Sequence, residues 1–289
     1  MSTYEFFELQ MSDGLAVITL NRPPLNVLHI PMMAEFNALL ETVLGEKRED
    51  EPPGEPNKAA RQEPRPPQPR PPQPRSPGVT DLAAVVLRAE GKVFSAGVDV
   101  SDHTADKVGE MIRQFHGIFR KLAGTDALTI AVVHGAALGG GCELATFCDI
   151  VLASDRAKFG QPEVQVGVFP PIAACVLPFR VGINKAIELN GTGRVIEAQE
   201  AHRIGLVDHV FPAGEFEARV ERYLDDLRKL SRPVVRMAKR ATTMMVRKPF
   251  LEQLEQVERM YLDELMKLAD AHEGIAAFVG KRPPSWKHA

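Results

Sequence analysis

The stretch "HGAALGGGCELATFCD", residues 134–149, limits the fold more than any other part of the chain. It runs three glycines together, Gly139, Gly140 and Gly141, and puts Glu143 two places further on. Glycine gives up more conformational freedom on folding than any other residue. A run of three is therefore expected where chain segments approach too closely for side chains, and a tight strand-to-helix turn is the simplest structure that asks for it. The run lacks the Lys-Ser/Thr ending of a phosphate-binding P-loop, which argues against nucleotide hydrolysis.

The neighbouring segments set the fold class. "LAVITLNRP" (15–23) alternates and is β-branched, so it reads as a strand ended by Pro23 and Pro24. "LAAVVLRAE" (82–90), "TIAVVHG" (129–135) and "CDIVLASD" (148–155) are short apolar runs of the buried-strand type. "PMMAEFNALLETVL" (31–44) has helical spacing with Pro31 in its first turn, and "ADKVGEMIRQFHGIFRKLAG" (105–124) is an amphipathic helix. Strands alternating with helices predict an α/β fold. From about Glu215 to Phe278 the pattern turns helical, with breaks at Pro233 and Pro249.

At 289 residues, 44% of them hydrophobic, the chain has enough apolar material for a sizeable core. A net charge of -3 argues against a nucleic-acid binder working by overall positive charge. No apolar run is long enough to span a bilayer, and "MSTYEFFELQ" lacks the form of a signal peptide, so a cytoplasmic protein is expected. Cys142, Cys148 and Cys175 have no metal-site spacing and are expected to be reduced and structural. Residues 46–78, with "EPRPPQPRPPQPRSP", hold only Ala59 and Ala60 as aliphatic side chains. No core can form there, and the segment reads as a disordered or polyproline insertion outside the fold.

Two further stretches follow strands and can meet the glycines. "GKVFSAGVDV" (91–100) follows the run at 82–90, and "KFGQPEVQVG" (158–167) places Glu163 beyond a proline. In open α/β folds, sites form outside the carboxyl ends of strands. Converging there, the loops would supply backbone N–H donors for negative charge developing on a carbonyl oxygen. Glu143 and Glu163 would supply a carboxylate pair able to hold a proton near neutrality, because two close carboxylates resist ionising together. Read structurally instead, Glu143 is a first-turn helix residue and Glu163 a surface loop carboxylate. His134 ends an apolar strand and reads as structural; Asp99 reads as a turn cap.

"FSAGVDV", "ALGGGCELATFCDIVLAS" and "AKFGQPEVQVG", in this order, resemble the signature segments of the crotonase, or enoyl-CoA hydratase/isomerase, superfamily. The resemblance runs from "GLAVITLNRP" to "FVGKRPPSW", the Pro-rich insertion excepted. It implies an α/β spiral of ββα units over residues 1–214 and a helical trimerisation region over 215–289, with a homotrimer or a hexamer made of two trimers. It puts the oxyanion-hole amides on Val98 and Gly140, and the catalytic carboxylates on Glu143 and Glu163. It implies an acyl-CoA substrate, no separate cofactor and no metal. Coenzyme A, as part of the substrate, is expected along Leu25, Ala96 and Val98, with Lys281 near its phosphates. His103, Phe169 and Ile172 are expected in the acyl pocket, with Asp102 at its edge.

Where many hydratases continue with a Gly-rich stretch after Gly167, this chain reads "VFPPIAACVLPFRVG" (168–182). With "PPLNVLHIPMM" and "FSAGVDVSDH", that departure resembles the cyclohexa-1,5-diene-1-carbonyl-CoA hydratases of aromatic degradation. A general enoyl-CoA hydratase or isomerase of fatty-acid oxidation, and a non-catalytic binding protein of the same fold, are the alternatives. Deleting residues 50–76 is expected to leave a folded, active protein, since added loop length costs only about 0.6 kcal/mol per doubling. Loss of soluble protein or of turnover after the deletion would show that the insertion supports the fold.

Overall fold

The computed structural model describes residues 4–45 and 81–288. The Pro-rich segment expected at 46–78 lies outside the described residues. The chain opens with a hairpin, β1 (Phe7–Ser12) and β2 (Leu15–Leu20), followed by helix α1 (Ile30–Leu44). β3 (Ala84–Ala89), α2 (Val108–Gly124) and β4 (Leu128–Val133) come next. β5 (Ala136–Leu138) leads through the glycines into α3 (Gly140–Phe147), and β6 (Ile150–Ser154) and β7 (Lys158–Gly160) follow. Then come α4 (Pro171–Val181), α5 (Ile183–Thr192), β8 (Val195–Glu197), α6 (Ala198–Arg203) and β9 (His209–Phe211). α7 (Phe216–Arg228), α8 (Arg232–Thr243), α9 (Arg247–Arg259) and α10 (Ala269–Val279) end the chain.

Six of these strands form one sheet in the order β1-β2-β3-β4-β6-β9, parallel throughout except for the β1–β2 hairpin. The apolar runs at 82–90, 129–135 and 148–155 thus become its neighbouring central strands, as their lack of alternation requires. One face packs on α1 and α2 through Phe36, Leu40, Phe115 and Phe119. The other packs on α7 through Phe216, Val220 and Leu224. β1 was not expected; its outer residues are exposed, which left no apolar signal to read.

A second sheet of three short strands, β5-β7-β8, carries the chain from the main sheet to the glycines. Three-residue strands give no periodicity, and these were not read from the sequence. Their effect is positional. Residues 94–99 are held on one side by β5, where Phe94 N donates to Ala136 O (2.9 Å) and Leu138 N to Ser95 O (2.9 Å). On the other side Ala96 N donates to Leu25 O (2.9 Å) and Leu28 N to Gly97 O (2.8 Å). Asn26, 1% exposed, fastens the same corner by donating to the carbonyls of Glu90 and Val93.

Pro233 and Pro249 do not interrupt helices: they sit in the first turns of α8 and α9, where a missing N–H costs nothing. The C-terminal helices belong to the same core as the sheet. Leu254 of α9 and Ile275 of α10 join the apolar cluster that includes Val85 and Phe119. Lys239 of α8 is buried, with its Nζ 2.8 Å from Ala127 O and 2.7 Å from Asp149 Oδ2. Among the described residues no helix is long and apolar enough to cross a membrane. The three cysteines are buried free thiols.

Candidate active site

The glycine run brings the two loops into backbone contact. An ideal Cβ on Gly141 would lie 2.5 Å from Ser95 O, and one on Gly140 would lie 2.7 Å from Val98 Cγ2 and 3.3 Å from the Val98 nitrogen. Gly97, at φ +103°, answers from the other loop: a Cβ there would meet Leu138 O at 2.9 Å and the Gly140 nitrogen at 3.2 Å. The amides of Val98 and Gly140 are therefore neighbours. Among the described residues, neither of these N–H groups donates to a protein acceptor. Gly140 is the first residue of α3, so its N–H has no place in the helical ladder, and the helix dipole adds to its pull on an anion.

Both glutamates join this corner. Glu143 lies in the first turn of α3, 2% exposed, with Oε1 accepting from Ala173 N at 2.8 Å. Glu163 lies in a short 3-10 turn, Pro162–Val166, and an ideal Cβ on Gly139 would be 2.9 Å from its Oε1. As a residue Glu163 is only half-buried, but its Oε2 is enclosed and has no hydrogen-bond partner. Burial pushes the Glu143 carboxyl up to about 7, although the Ala173 and Ile172 amides favour its charge. Burial and then the charge of Glu143 push Glu163 well above the ordinary carboxyl range. A pair of raised carboxyls beside two unpaired amides can act as base and acid at one carbonyl compound.

These groups line one cavity of about 330 Å³, otherwise largely apolar. Ala96, Val98, Gly140, Glu143, Glu163, His103 and Phe169 all border it, so most of the residues expected from sequence are brought together. Three are not. Ile172 is buried in the core beside the cavity, and what it turns toward Glu143 is its backbone amide. Leu25, 46% exposed, stands outside and reaches the site through its bond from Ala96. Lys281 follows α10, three residues beyond Phe278, which borders the cavity. Asp102 serves the fold, its Oδ2 accepting from Ile30 N (2.9 Å) at the start of α1. Asp99 caps its turn by accepting from Ser101 N, and His134 lies against Gly91 O.

Two buried polar residues of the cavity lining escaped the sequence reading. His116 of α2 and Tyr261, just after α9, are 0% and 1% exposed. His116 Nε2 and Tyr261 Oη are enclosed without partners. A histidine inside the apolar stripe of Met111, Ile112, Phe115 and Phe119 was the one available signal; Tyr261 offered none.

A family model described as enoyl-CoA hydratase/isomerase matches residues 79–289. The chain belongs to this family. A cyclohexa-1,5-dienecarbonyl-CoA hydratase of Thauera aromatica is 40% identical over 208 residues, covering 72% of this chain and 80% of that protein. A probable enoyl-CoA hydratase of Mycobacterium bovis is 32% identical over 99% of both chains. The crystal structure of an enoyl-CoA hydratase from Mycobacterium avium subsp. paratuberculosis superposes with a TM-score of 0.78 at 25% identity, covering 99% of this chain and 100% of that one. The fold is thus the crotonase fold, and the protein is an enzyme of the enoyl-CoA hydratase type, a hydro-lyase acting on acyl-CoA thioesters.

The raised carboxyls fix a sign for stability. Through Glu143 the folded protein binds more protons than the unfolded chain from the ordinary glutamate value of 4.5 up to about 7, and the raised Glu163 acts in the same direction. Its stability therefore falls as pH rises through that window. Glu143→Gln and Glu163→Gln are each expected to resist urea better than wild type at pH 8, with the gain vanishing toward pH 4. Equal midpoints at pH 8 would contradict the enclosed placement of these carboxyls.

Proposed function

We propose that the enzyme adds water to a conjugated enoyl- or dienoyl-CoA thioester, with cyclohexa-1,5-diene-1-carbonyl-CoA as the named substrate. One observation carries this: two enclosed carboxyls and two unpaired amides face a single apolar cavity. The thioester oxygen is held by the N–H groups of Val98 and Gly140, which take up its charge as the enolate forms. One such donor is typically worth about 3 to 4 kcal/mol in the transition state. Glu143, whose charge is favoured by backbone amides, accepts a proton from water as the hydroxyl oxygen bonds to the electrophilic carbon. Glu163, raised by burial and by the charge of Glu143, holds the other proton and delivers it to the α-carbon. Passing the first proton from Glu143 to Glu163 restores the pair, so one water is consumed and nothing else is needed. In this reading the CoA arm runs past Leu25 and Ala96, with Lys281 at its phosphates. His103 and Phe169 border the acyl group, and no cofactor beyond the substrate's own CoA takes part.

The cyclic substrate is supported by the Thauera aromatica relative and by the apolar wall of Val168, Phe169 and Pro171. A flat ring offers that wall more area than a four-carbon chain, at roughly 0.8 kcal/mol per methylene-sized group. A general enoyl-CoA hydratase is the second reading, favoured by the near full-length match to the Mycobacterium bovis protein. Kinetics with both thioesters test the pair. Higher kcat/KM for the cyclic dienoyl-CoA than for crotonyl-CoA is expected, and the reverse order removes the cyclic claim. Glu143→Gln and Glu163→Gln should each lower turnover by about 10²- to 10⁴-fold. A variant near wild-type turnover would release that glutamate from its role.

We also infer a trimer or a dimer of trimers, with the helical region 215–289 contributing to the contact. Val234 and Met237 of α8, with Met244 and Met245 at its end, are all at least 60% exposed, more large apolar surface than water favours. Light scattering should give three or six chain masses, and a monomer would overturn the inference.

A further inference from the structure

Among the polar side chains of the cavity, His116 and Tyr261 are fully enclosed and take no part in the hydration step. His116 and Tyr261 come from different elements, and Glu258, which holds His116, lies one turn before Tyr261. His116 Nδ1 lies 2.7 Å from Glu258 Oε1, and Arg120 Nη2 lies 2.6 Å from both Glu258 oxygens. Tyr261 stands three residues after Glu258, one helical turn on, so it falls on the same face as the residue that grips His116. Burial alone would raise the Glu258 carboxyl, but the hydrogen bonds from His116 and Arg120 outweigh it and keep the group ionised. An ionised carboxylate only accepts, so Nδ1 carries the imidazole hydrogen. Burial holds His116 neutral, which leaves Nε2 as a bare acceptor. Burial, with the charges of Glu163 and Glu143, keeps Tyr261 a phenol whose O–H can donate.

Thus, apart from Glu163 Oε2, which belongs to the carboxyl pair, the acyl cavity presents an acceptor on His116 and a donor on Tyr261, both enclosed and both without a partner among the described residues. Buried polar groups are nearly always paired in native proteins, and each unpaired one is costly. A hydrocarbon acyl group would leave both unpaired. A ketone oxygen can accept from Tyr261 but gives His116 nothing. A hydroxyl carries both complements, a hydrogen that His116 Nε2 can accept and lone pairs for the Tyr261 O–H.

We propose that His116 and Tyr261 form a specificity pair for a hydroxyl carried by the acyl group, so that the enzyme binds hydroxylated acyl-CoA thioesters in preference to their hydrocarbon counterparts. This rests on the reading of the cavity as an acyl-CoA site. It deepens that reading, because the hydroxyl is recognised apart from the carboxyl pair that handles water.

Saturated thioesters, which cannot be hydrated, separate binding from catalysis. Cyclohexanecarbonyl-CoA, its 3- and 4-hydroxy derivatives, and the matching oxo and methoxy compounds would be compared by calorimetric titration. At least one hydroxy derivative is expected to bind roughly 10-fold or more tightly than the parent, with its oxo and methoxy counterparts falling behind it. Tyr261→Phe should erase that preference while leaving the affinity for the parent thioester within about two-fold. Equal binding of parent and hydroxy compounds by wild type overturns the proposal, as does a preference that survives Tyr261→Phe. The ligand series decides the matter on wild type alone should the variant fail to fold. If no thioester in the series binds, the acyl-CoA reading falls with it; if the parent binds as well as the rest, only the hydroxyl pair falls.

Discussion

Backbone meeting backbone at the glycine run is the contact on which the rest of this enzyme depends. Gly140 and Gly141 approach Val98 and Ser95 so closely that a methyl group at either position would overlap atoms of the facing loop. That approach sets the Val98 and Gly140 amides side by side, starts α3 at the cavity wall, and thereby places Glu143 one turn in. No side-chain interaction could substitute for it, because the donors are main-chain groups whose spacing follows from the distance between two strands of backbone. The second sheet, small as it is, exists to hold that distance: β5 pairs with the 94–95 segment on one side and with β7 on the other.

The same corner works against stability. Two carboxyls are enclosed within one cavity, and burial raises both. The amides of Ala173 and Ile172 favour charge on Glu143, while Glu163 Oε2 has no such help. The surrounding apolar packing has to supply the free energy that the pair takes away, and it does so from helices far along the chain. Ile275 and Phe278 of α10 border the cavity, and Gly274 lies against Val166, directly behind the turn that carries Glu163.

Much of the site was legible residue by residue, because its machinery lies in short ordered segments. The glycines, "FSAGVDV" and "QPEVQVG" each carry a local requirement, whether close approach, a free amide or a carboxyl at a turn, that residue type alone expresses. The central strands were legible for a similar reason, since a strand buried on both faces is a continuous apolar run. Ile172 was misplaced because an apolar residue near a pocket motif looks the same whether its side chain or its amide faces the cavity. Lys281 and Leu25 were named from resemblance, and they stand around the cavity and not within it.

By itself, then, the sequence determined the α/β class, the close-approach turn and the candidate pair of carboxyls, since each depends on residue type and neighbours a few positions away, whereas the Val98 and Gly140 amides were singled out by resemblance. The tertiary structure alone decided that the carboxyls are enclosed and which of them is better served by amides. It alone brought His116 of α2 within 2.7 Å of Glu258 of α9, with Tyr261 one turn on. Those residues are 142 positions apart in the first pair, and nothing in either local segment encodes the meeting. Their juxtaposition comes from α2 and α9 closing on one cavity, a packing event that depends on the whole core.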